Sequence, residues 1–438
     1  MTTVPGSSTA ASTAATASGK LLRRRALTMG SHSPLFYDSP LAVQSAAGVW
    51  LTSMDGVTYL DGYNNVPHVG HCHPYVVEAV HEQARQLNIH TRYLNDRVLD
   101  YAEQLLTTVD QPLARLALTN SGSEANELAL RIARQHTGHT GVLVTDFSYH
   151  GNTTSLAELT TGLPVREPLG AHVRALTIPD MDHESEGEEA VLARSLALVD
   201  TAIASLQQAG HGVSALLFYP LFSTEGLPRL PKGYVTMVVD RVRSAGGLVI
   251  ADEVQAGFGR VGTSMWGHQL FDMVPDFVTL GRPMGNGHPL GGVITTTNLL
   301  DEFGSNNLYF NTFAGNPVSA AAGLAVLKVM NAEQLLDNAD TTGGLLRGKL
   351  TELAGRYDFI SAAKGQGLFT GLEFVDPTTG APAPAIAKQV VEGMLARKVL
   401  ISRIGRNDNM LKIRPPIPFN RQHVEILTDR LADCLTHL

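Results

Sequence analysis

The segment 120–126 (NSGSEAN) contains residue types that could hold an anion. It follows an apolar, strand-like run and opens a helix rich in Ala and Leu. Small residues let backbone N–H groups converge, and the start of a helix adds positive potential, so a phosphate group fits there. The alternative is a helix that is capped by Ser123, with Asn126 three residues later, and has no ligand. Both interpretations are open for this segment taken alone.

Two further segments carry candidate ligands for a planar aromatic cofactor. Asp252 follows the apolar run 247–251 (GLVIA), at the strand end where open α/β sheets bind ligands. A carboxylate there could pair with a protonated ring nitrogen; the alternatives are a helix cap or an ion pair with Arg260. Tyr149, in the segment 149–151 (YHG), offers a ring that could stack on the cofactor, and its alternative role is that of a core tyrosine.

Alternating strands and helices must position these residues. Short apolar runs predict buried strands, and longer amphipathic stretches between them predict helices. This alternation predicts an α/β fold with a large, mostly parallel sheet covered on both faces, followed after about residue 331 by a smaller α+β part. Asp55-Gly56 predicts a hairpin between 48–51 and 56–60. The predicted strands are 116–119, 142–145, 215–219, 247–251, 277–280, 368–374 and 410–413, and the predicted helices include 188–208 and 234–245.

The composition limits the classes of function. The chain has 438 residues, of which 44% are hydrophobic and 17% charged, as is typical of a globular protein with two or three domains. Its net charge of −8 gives no attraction to nucleic acid or acidic membranes. Two cysteines far apart exclude a disulfide framework, so we expect a cytoplasmic location. The Ser/Thr/Ala-rich start predicts a disordered tail over 1–22, with an organelle transit peptide as the alternative.

A metal site is not expected from this sequence. The run His71-Cys72-His73 precedes Pro74, and no second ligand pair at a suitable spacing accompanies it. Structural and catalytic zinc sites need three or four such ligands. The run is therefore interpreted as a turn.

Seven motifs together resemble the class III (fold type I) pyridoxal-phosphate (PLP) aminotransferase family, over almost the whole chain from about Arg24 to Arg421. Two of them are most similar to a subgroup that includes ethanolamine-phosphate phospho-lyases. The resemblance implies a large PLP-binding domain over 75–330 and a small α+β domain from 23–74 and 331–438. The motifs are DGVTYLDGYNNVPHVGHCHP (55–74), NSGSEANELALRIAR (120–134), YHGNT (149–153), ADEVQAGFGRVG (251–262), TLGRPMGNGHPLGG (279–292), NTFAGNPVSAAAGLAVL (311–327) and LKIRPP (411–416).

The resemblance also implies roles for particular residues. Asp252 would bind the ring nitrogen of PLP, and Tyr149 would stack on the ring. Thr312 would reach the cofactor phosphate of a neighbouring subunit, which implies a homodimer. Arg414 would bind a substrate carboxylate, with a structural ion pair as the alternative. The full assignment gives the cofactor to Ser121, Gly122, Ser123, Tyr149, His150, Asp252, Val254, Gln255 and Thr312, and the substrate to Tyr219 and Arg414.

Two residues depart from the family pattern. Arg282 stands before Pro283, where the family carries the lysine that binds PLP covalently, and Tyr219 stands where relatives carry an acid before the proline. A guanidinium stays protonated near neutrality, so it is neither a nucleophile nor a proton shuttle. Three explanations are open: natural divergence, engineered removal of the lysine, and a lysine elsewhere in the chain that has taken over. The nearest lysines in sequence, Lys232 and Lys328, are far from position 282.

The leading hypothesis is a PLP enzyme that transfers an amino group between a small amine or amino acid and a carbonyl acceptor. With Arg282 the cofactor would be held without a covalent bond, as PLP or as pyridoxamine phosphate. The alternatives are elimination of phosphate from an amino-alcohol phosphate, a diverged lysine-free reaction, and a non-catalytic member that binds a ligand. We expect no nucleic-acid or membrane partner.

Overall fold

A seven-stranded, mostly parallel sheet forms the centre of a computed structural model that describes residues 17–438. Its spatial order is β4-β10-β9-β8-β7-β5-β6. Strand β10 runs antiparallel to both of its neighbours, and the pairs from β9 to β6 are parallel. The strands are β4 (Leu113–Thr119), β5 (Val142–Thr145), β6 (Val173–Leu176), β7 (Ala215–Phe218), β8 (Leu248–Asp252), β9 (Phe277–Leu280) and β10 (Gly291–Thr296).

Helices cover both faces of this sheet because its central strands are apolar on both sides. One face packs against helices α4 (Gly122–Thr137) and α8 (Thr297–Asn306), and the other packs against α6 (Glu188–Gln208) and α7 (Tyr234–Ser244). Every residue of β5, β7 and β9 is buried. The predicted α/β fold with a mostly parallel sheet is confirmed.

Two smaller sheets contain the remaining strands. One has the order β1-β2-β3-β13 and the other the order β11-β12-β15-β14. The predicted hairpin is confirmed, with Gly56 at a positive φ in its turn. The strands are β1 (Val43–Ala47), β2 (Trp50–Ser53), β3 (Thr58–Asp61), β11 (Ile360–Gln366), β12 (Phe369–Phe374), β13 (Val399–Leu400), β14 (Ser402–Ile404) and β15 (Met410–Lys412).

An N-terminal and a C-terminal segment share the first of these sheets, because β13 pairs in parallel with β3. The domain boundaries inferred from the sequence stay a prediction. Helix α1 begins inside the segment predicted as a tail, and residues 1–16 of that segment lie outside the described part. No helix between residues 17 and 438 is long and apolar enough to cross a membrane. The remaining helices are α1 (Ala17–Met29), α2 (Pro74–Gln86), α3 (Asp96–Leu106), α5 (Thr154–Ala157), α9 (Pro317–Ala332), α10 (Leu335–Ala354), α11 (Pro384–Ala396) and α12 (Arg421–Thr436).

The buried Arg260 connects the segment after β8 to the residues that follow β15. The Arg260 guanidinium is fully buried, and it donates to the carbonyls of Leu368, at 3.0 Å, and Pro415. Because Pro415 follows Arg414, this contact fixes the backbone on which Arg414 lies. The suggested ion pair between Asp252 and Arg260 is therefore wrong, since the guanidinium is bound to these carbonyls instead.

Candidate active site

The predicted anion-binding segment forms the start of helix α4, but a different serine caps the helix. Ser121 has an extended backbone, and its hydroxyl accepts from the N–H of Glu124 at 3.2 Å. The prediction that Ser123 is the cap is wrong because the helix already begins at Gly122. The Ser123 hydroxyl instead accepts from the N–H of Asn152 at 3.2 Å. Gly122 and Ser123 thus lie in the first turn, whose N–H groups have no partner within a helix.

Glycines allow three segments to meet closely at this helix start. A Cβ on Gly122 would lie 2.8 Å from Cγ2 of Val254, and one on Gly281 would lie 3.0 Å from the nitrogen of Gly122. Neither distance leaves room for a side chain without a shift of its surroundings. The close approach places residue 282 beside the anion-binding turn.

Asp252 ends β8 as predicted and is held in a buried hydrogen-bond network. Its Oδ2 accepts from Nδ2 of Asn126 at 2.9 Å and lies 2.8 Å from Nδ1 of His150. Its Oδ1 accepts from the N–H of Val254 at 3.1 Å. Asn126 is oriented in turn by Thr279, whose hydroxyl donates to its Oδ1 at 2.6 Å. The carboxylate is therefore fixed at the strand end, and its position is set by elements distant in sequence.

Two tyrosines lie beside this carboxylate. The N–H of Tyr149 donates to the hydroxyl of Tyr219 at 3.2 Å, and the rings of Tyr219 and His150 are 4.4 Å apart between centroids. Burial, followed by the charges of Asp252 and Glu225, raises the pKa of Tyr219 well above its ordinary value. Tyr219 therefore stays a neutral hydroxyl in the physiological range.

These residues line a common cavity of about 310 Å³. Ten of the predicted site residues line this cavity: Ser121, Gly122, Ser123, Tyr149, His150, Tyr219, Asp252, Val254, Gln255 and Arg282. Arg414 adjoins it through a hydrogen bond from its Nη1 to Oε1 of Gln255. Thr312 is exposed and is not among the lining residues, although its neighbour Asn311 accepts from Asn120 at 2.8 Å. The sequence analysis missed His288, which lines the cavity 2.9 Å from the hydroxyl of Ser319.

Arg414 is 2% exposed, and it packs over two aromatic rings. Its Cζ lies 5.4 Å from the ring centroid of Tyr63 and 5.3 Å from that of Phe369. Burial, followed by the charge of Arg282, lowers the pKa of Arg414 to about 9. Its Nε is buried and has no hydrogen-bond partner among residues 17–438. The guanidinium thus retains an unused donor.

Lys412 is a further cation at the site that the sequence analysis missed. Its Nζ lies 5.8 Å from the ring centroid of Tyr63 and 5.6 Å from that of Phe369, the same rings that contact Arg414. Burial, followed by the charges of Arg414 and Arg282, lowers the pKa of Lys412 well below its ordinary value. The motif LKIRPP could have indicated this residue, because Lys412 and Arg414 are two residues apart and side chains two apart in an extended segment share a face.

Arg282 completes a group that we call the cation cluster: Arg282, Lys412 and Arg414. Nη1 of Arg282 donates to Oδ1 of Asn65 at 3.4 Å, and its charge lowers the pKa of both other members. Within the described residues, no carboxylate forms a salt bridge with any member of the cluster. Like charges held together in a partly buried region favour the binding of an anion.

The cavity has the features that a phosphorylated aromatic cofactor needs. The first turn of α4 suits a phosphate group, the fixed Asp252 carboxylate suits a protonated ring nitrogen, and Tyr149 offers a flat ring. Arg282 is the one lining residue that does not fit a covalent cofactor, because a guanidinium does not act as a nucleophile near neutrality.

Comparison with known proteins agrees with this geometry. The family model "Aminotransferase class-III" matches residues 35–435. The chain belongs to the class III aminotransferase family. An alanine–glyoxylate aminotransferase 2-like protein of Drosophila melanogaster is 38% identical over 420 residues, 93% of this chain and 85% of the relative. The ethanolamine-phosphate phospho-lyase homolog 1 of Caenorhabditis elegans is 37% identical over 440 residues, 95% of this chain and 93% of the relative.

A solved structure is similar over almost the whole length. It is a phospholyase from Arthrobacter in complex with phosphoethanolamine, 60% identical to this class III chain, with a TM-score of 0.94. The match covers 95% of this chain and 100% of the phospholyase. The predicted family, its fold type I architecture and a PLP-dependent enzyme are therefore confirmed. The roles of individual residues, including the lysine position at Arg282, stay predictions.

Replacing Asp252 with alanine should weaken PLP binding by about tenfold or more, since a hydrogen bond to a charged group contributes roughly 1.5–3 kcal/mol. The affinity can be measured by the change in pyridoxal absorbance on titration. The control is Asp240→Ala, at an exposed position on α7. Equal PLP affinity of the Asp252 variant and the parent would contradict the role of this carboxylate.

Proposed function

We propose that this chain is a PLP-dependent enzyme of the phospho-lyase type, acting on a small amine that carries a phosphate group. The reaction eliminates phosphate from the amine, and one water molecule then hydrolyses the resulting imine, so that inorganic phosphate, ammonia and an aldehyde are released. The observation that carries the proposal is the cation cluster. Two guanidiniums and an amine that gains a proton when an anion binds, none of them in a salt bridge with a carboxylate among residues 17–438, exceed what one substrate carboxylate would neutralise. A phosphate monoester carries two negative charges above about pH 6.

The relatives support the same class of substrate. The Arthrobacter structure contains phosphoethanolamine, and the Caenorhabditis elegans relative is named for ethanolamine phosphate. At 60% identity over nearly the whole chain, the Arthrobacter protein favours a small phosphorylated amine as the ligand of this cavity. The expectation that Arg414 binds a carboxylate is replaced in this proposal by binding of a phosphate.

Different residues at the cavity would bind the cofactor and the substrate phosphate. Gly122 and Ser123 would hold the cofactor phosphate, and Asp252 would hold a protonated ring nitrogen. PLP when bound supplies an electron sink for the bonds to the amine carbon. Lys412 and Arg414 would bind the leaving phosphate, where charge develops as it departs. Arg282 cannot accept the proton from the amine carbon near neutrality, so this proton would pass to water, and elimination should be slow.

Transamination is the second candidate. The Drosophila relative is named as an aminotransferase and is 38% identical to this chain. The two reactions differ in their products, because transamination leaves the phosphate on the substrate and consumes a carbonyl acceptor. Release of inorganic phosphate without an added acceptor supports elimination, and its absence together with acceptor-dependent product supports transamination.

The phosphate group of the substrate should dominate binding. We expect phosphoethanolamine to bind the PLP-loaded protein at least about tenfold more tightly than ethanolamine, and Lys412→Gln to remove most of this difference. Isothermal titration calorimetry measures both affinities, with Lys328→Gln, at an exposed position on α9, as the control. Equal affinity for the two amines would contradict the proposal.

Phosphoethanolamine binding should also be accompanied by proton uptake. The pKa of Lys412 is lowered in the free protein, and a bound dianion raises it again, so Lys412 gains a proton on binding. The affinity should therefore fall as the pH rises from about 7 to 9, where the phosphate is already dianionic. Calorimetry in two buffers of different ionisation enthalpy gives the number of protons taken up. Proton release, or affinity that rises over this range, would exclude the assignment.

Arg282→Lys should place an amine at the position where the family motif carries its lysine. We expect the variant to hold PLP in a borohydride-reducible bond at residue 282, and to release phosphate from phosphoethanolamine about 10²-fold faster or more. Peptide mass spectrometry and a phosphate assay measure these two effects, with Arg356→Lys as the exposed control. A reducible cofactor bond in the parent protein would mean that another lysine has taken over.

We also propose that the active unit is a homodimer in which Thr312 reaches the partner's cofactor phosphate. Exposed apolar side chains near this loop support the proposal: Leu308 is 95% exposed, Phe313 73% and Leu94 98%. Burial of such a surface in a partner interface is favourable. Light scattering should give about twice the 46.9 kDa chain mass, and Thr312→Ala should weaken PLP binding without changing that mass. A monomer with full PLP affinity would overturn this arrangement.

A further inference from the structure

The side chain of Arg282 and the backbone of its loop contact different parts of the site. The backbone at Gly281 packs on the start of α4, where a cofactor phosphate would lie. The guanidinium of Arg282 donates instead to Asn65, and its charge acts on Lys412 and Arg414. Arg282 is therefore associated with the part of the cavity that faces the C-terminal strand β15.

We propose that Arg282 is a ligand of the substrate phosphate, which it binds together with Lys412 and Arg414. This inference rests on the proposed function and adds a specificity-determining residue to it. In this role, Arg282 strengthens the binding of phosphorylated amines and contributes nothing to proton transfer.

Three physical features support a phosphate ligand at this position. A guanidinium presents a planar set of donors that matches phosphate oxygens and stays charged throughout the physiological range. The bond from Arg282 to Asn65 is long, at 3.4 Å, so it contributes little that a phosphate would displace. The unused Nε of Arg414 gives the cluster a further buried donor.

The charge balance distinguishes phosphate from other small anions. Burial first, and then the neighbouring charges that include Arg282, lower the pKa of Lys412 and of Arg414, so a bound anion would favour the charged forms of both side chains. A carboxylate carries one negative charge and two oxygens, whereas a phosphate dianion carries two charges, favours protonation of Lys412 and has enough oxygens to meet all three side chains. The site should therefore discriminate against amines that carry a carboxylate.

The test uses the full-length protein loaded with pyridoxamine phosphate, which fills the cofactor phosphate site and cannot condense with an added amine. Inorganic phosphate is then titrated by calorimetry. We expect Arg282→Gln to weaken phosphate binding by about tenfold or more, equivalent to about 1.4 kcal/mol. Arg282→Lys keeps the charge and should stay within a few-fold of the parent, and the exposed Arg356→Gln should have no effect.

The outcomes separate this inference from the proposed function. If Lys412→Gln weakens phosphate binding and Arg282→Gln does not, Arg282 is not a ligand and the phospho-lyase proposal stands. If the loaded parent binds no phosphate, both fall. If Arg282→Gln does not fold, a loss of affinity in Arg282→Met with full retention in Arg282→Lys supports the inference, and equal affinities of these two variants overturn it.

Discussion

The close approach of the backbone at Gly281 to the first turn of α4 is the constraint on which the site depends. A side chain at Gly122 or Gly281 would collide with its surroundings, so the anion-binding turn, the end of β8 and the loop that carries Arg282 meet only because both residues are glycines. The same approach places position 282 beside the anion-binding turn, from which the guanidinium of Arg282 reaches Asn65. From there the charge of Arg282 acts on Lys412, at the end of β15, and on Arg414, two residues later.

The cation cluster follows from two independent parts of the fold. Arg260, fully buried and bound to the carbonyls of Leu368 and Pro415, fixes the backbone beside Arg414. The rings of Tyr63 and Phe369 lie against the charged ends of Lys412 and Arg414. Because neither anchor is a carboxylate, the positive charge of the cluster remains available to a ligand. An ion pair at either position would have neutralised the charge that the proposed substrate requires.

The sequence predicted the site residues that directly follow a strand better than those that only tertiary packing brings to the site. Asp252 and the helix start at Gly122 could be predicted because each directly follows a strand, where a parallel sheet binds its ligands. The cap was assigned to Ser123 rather than Ser121 because both serines flank the same glycine and only the backbone geometry separates them. Lys412 could not be predicted in this way because it is far from Arg282 in the sequence and only the fold brings their charges together. Which side chains share one region across two sheets depends on tertiary packing, which no local pattern encodes.

Arg282, Lys412 and Arg414 are proposed to bind the phosphate group of a small amine beside a PLP cradle. A crystal structure of the protein with pyridoxamine phosphate and phosphoethanolamine tests it most directly, because the two phosphorus atoms can be located separately. We expect one phosphate at the first turn of α4 and the other within hydrogen-bond distance of all three cations. A substrate phosphate that is located away from the cation cluster, with the cofactor in place, would contradict it.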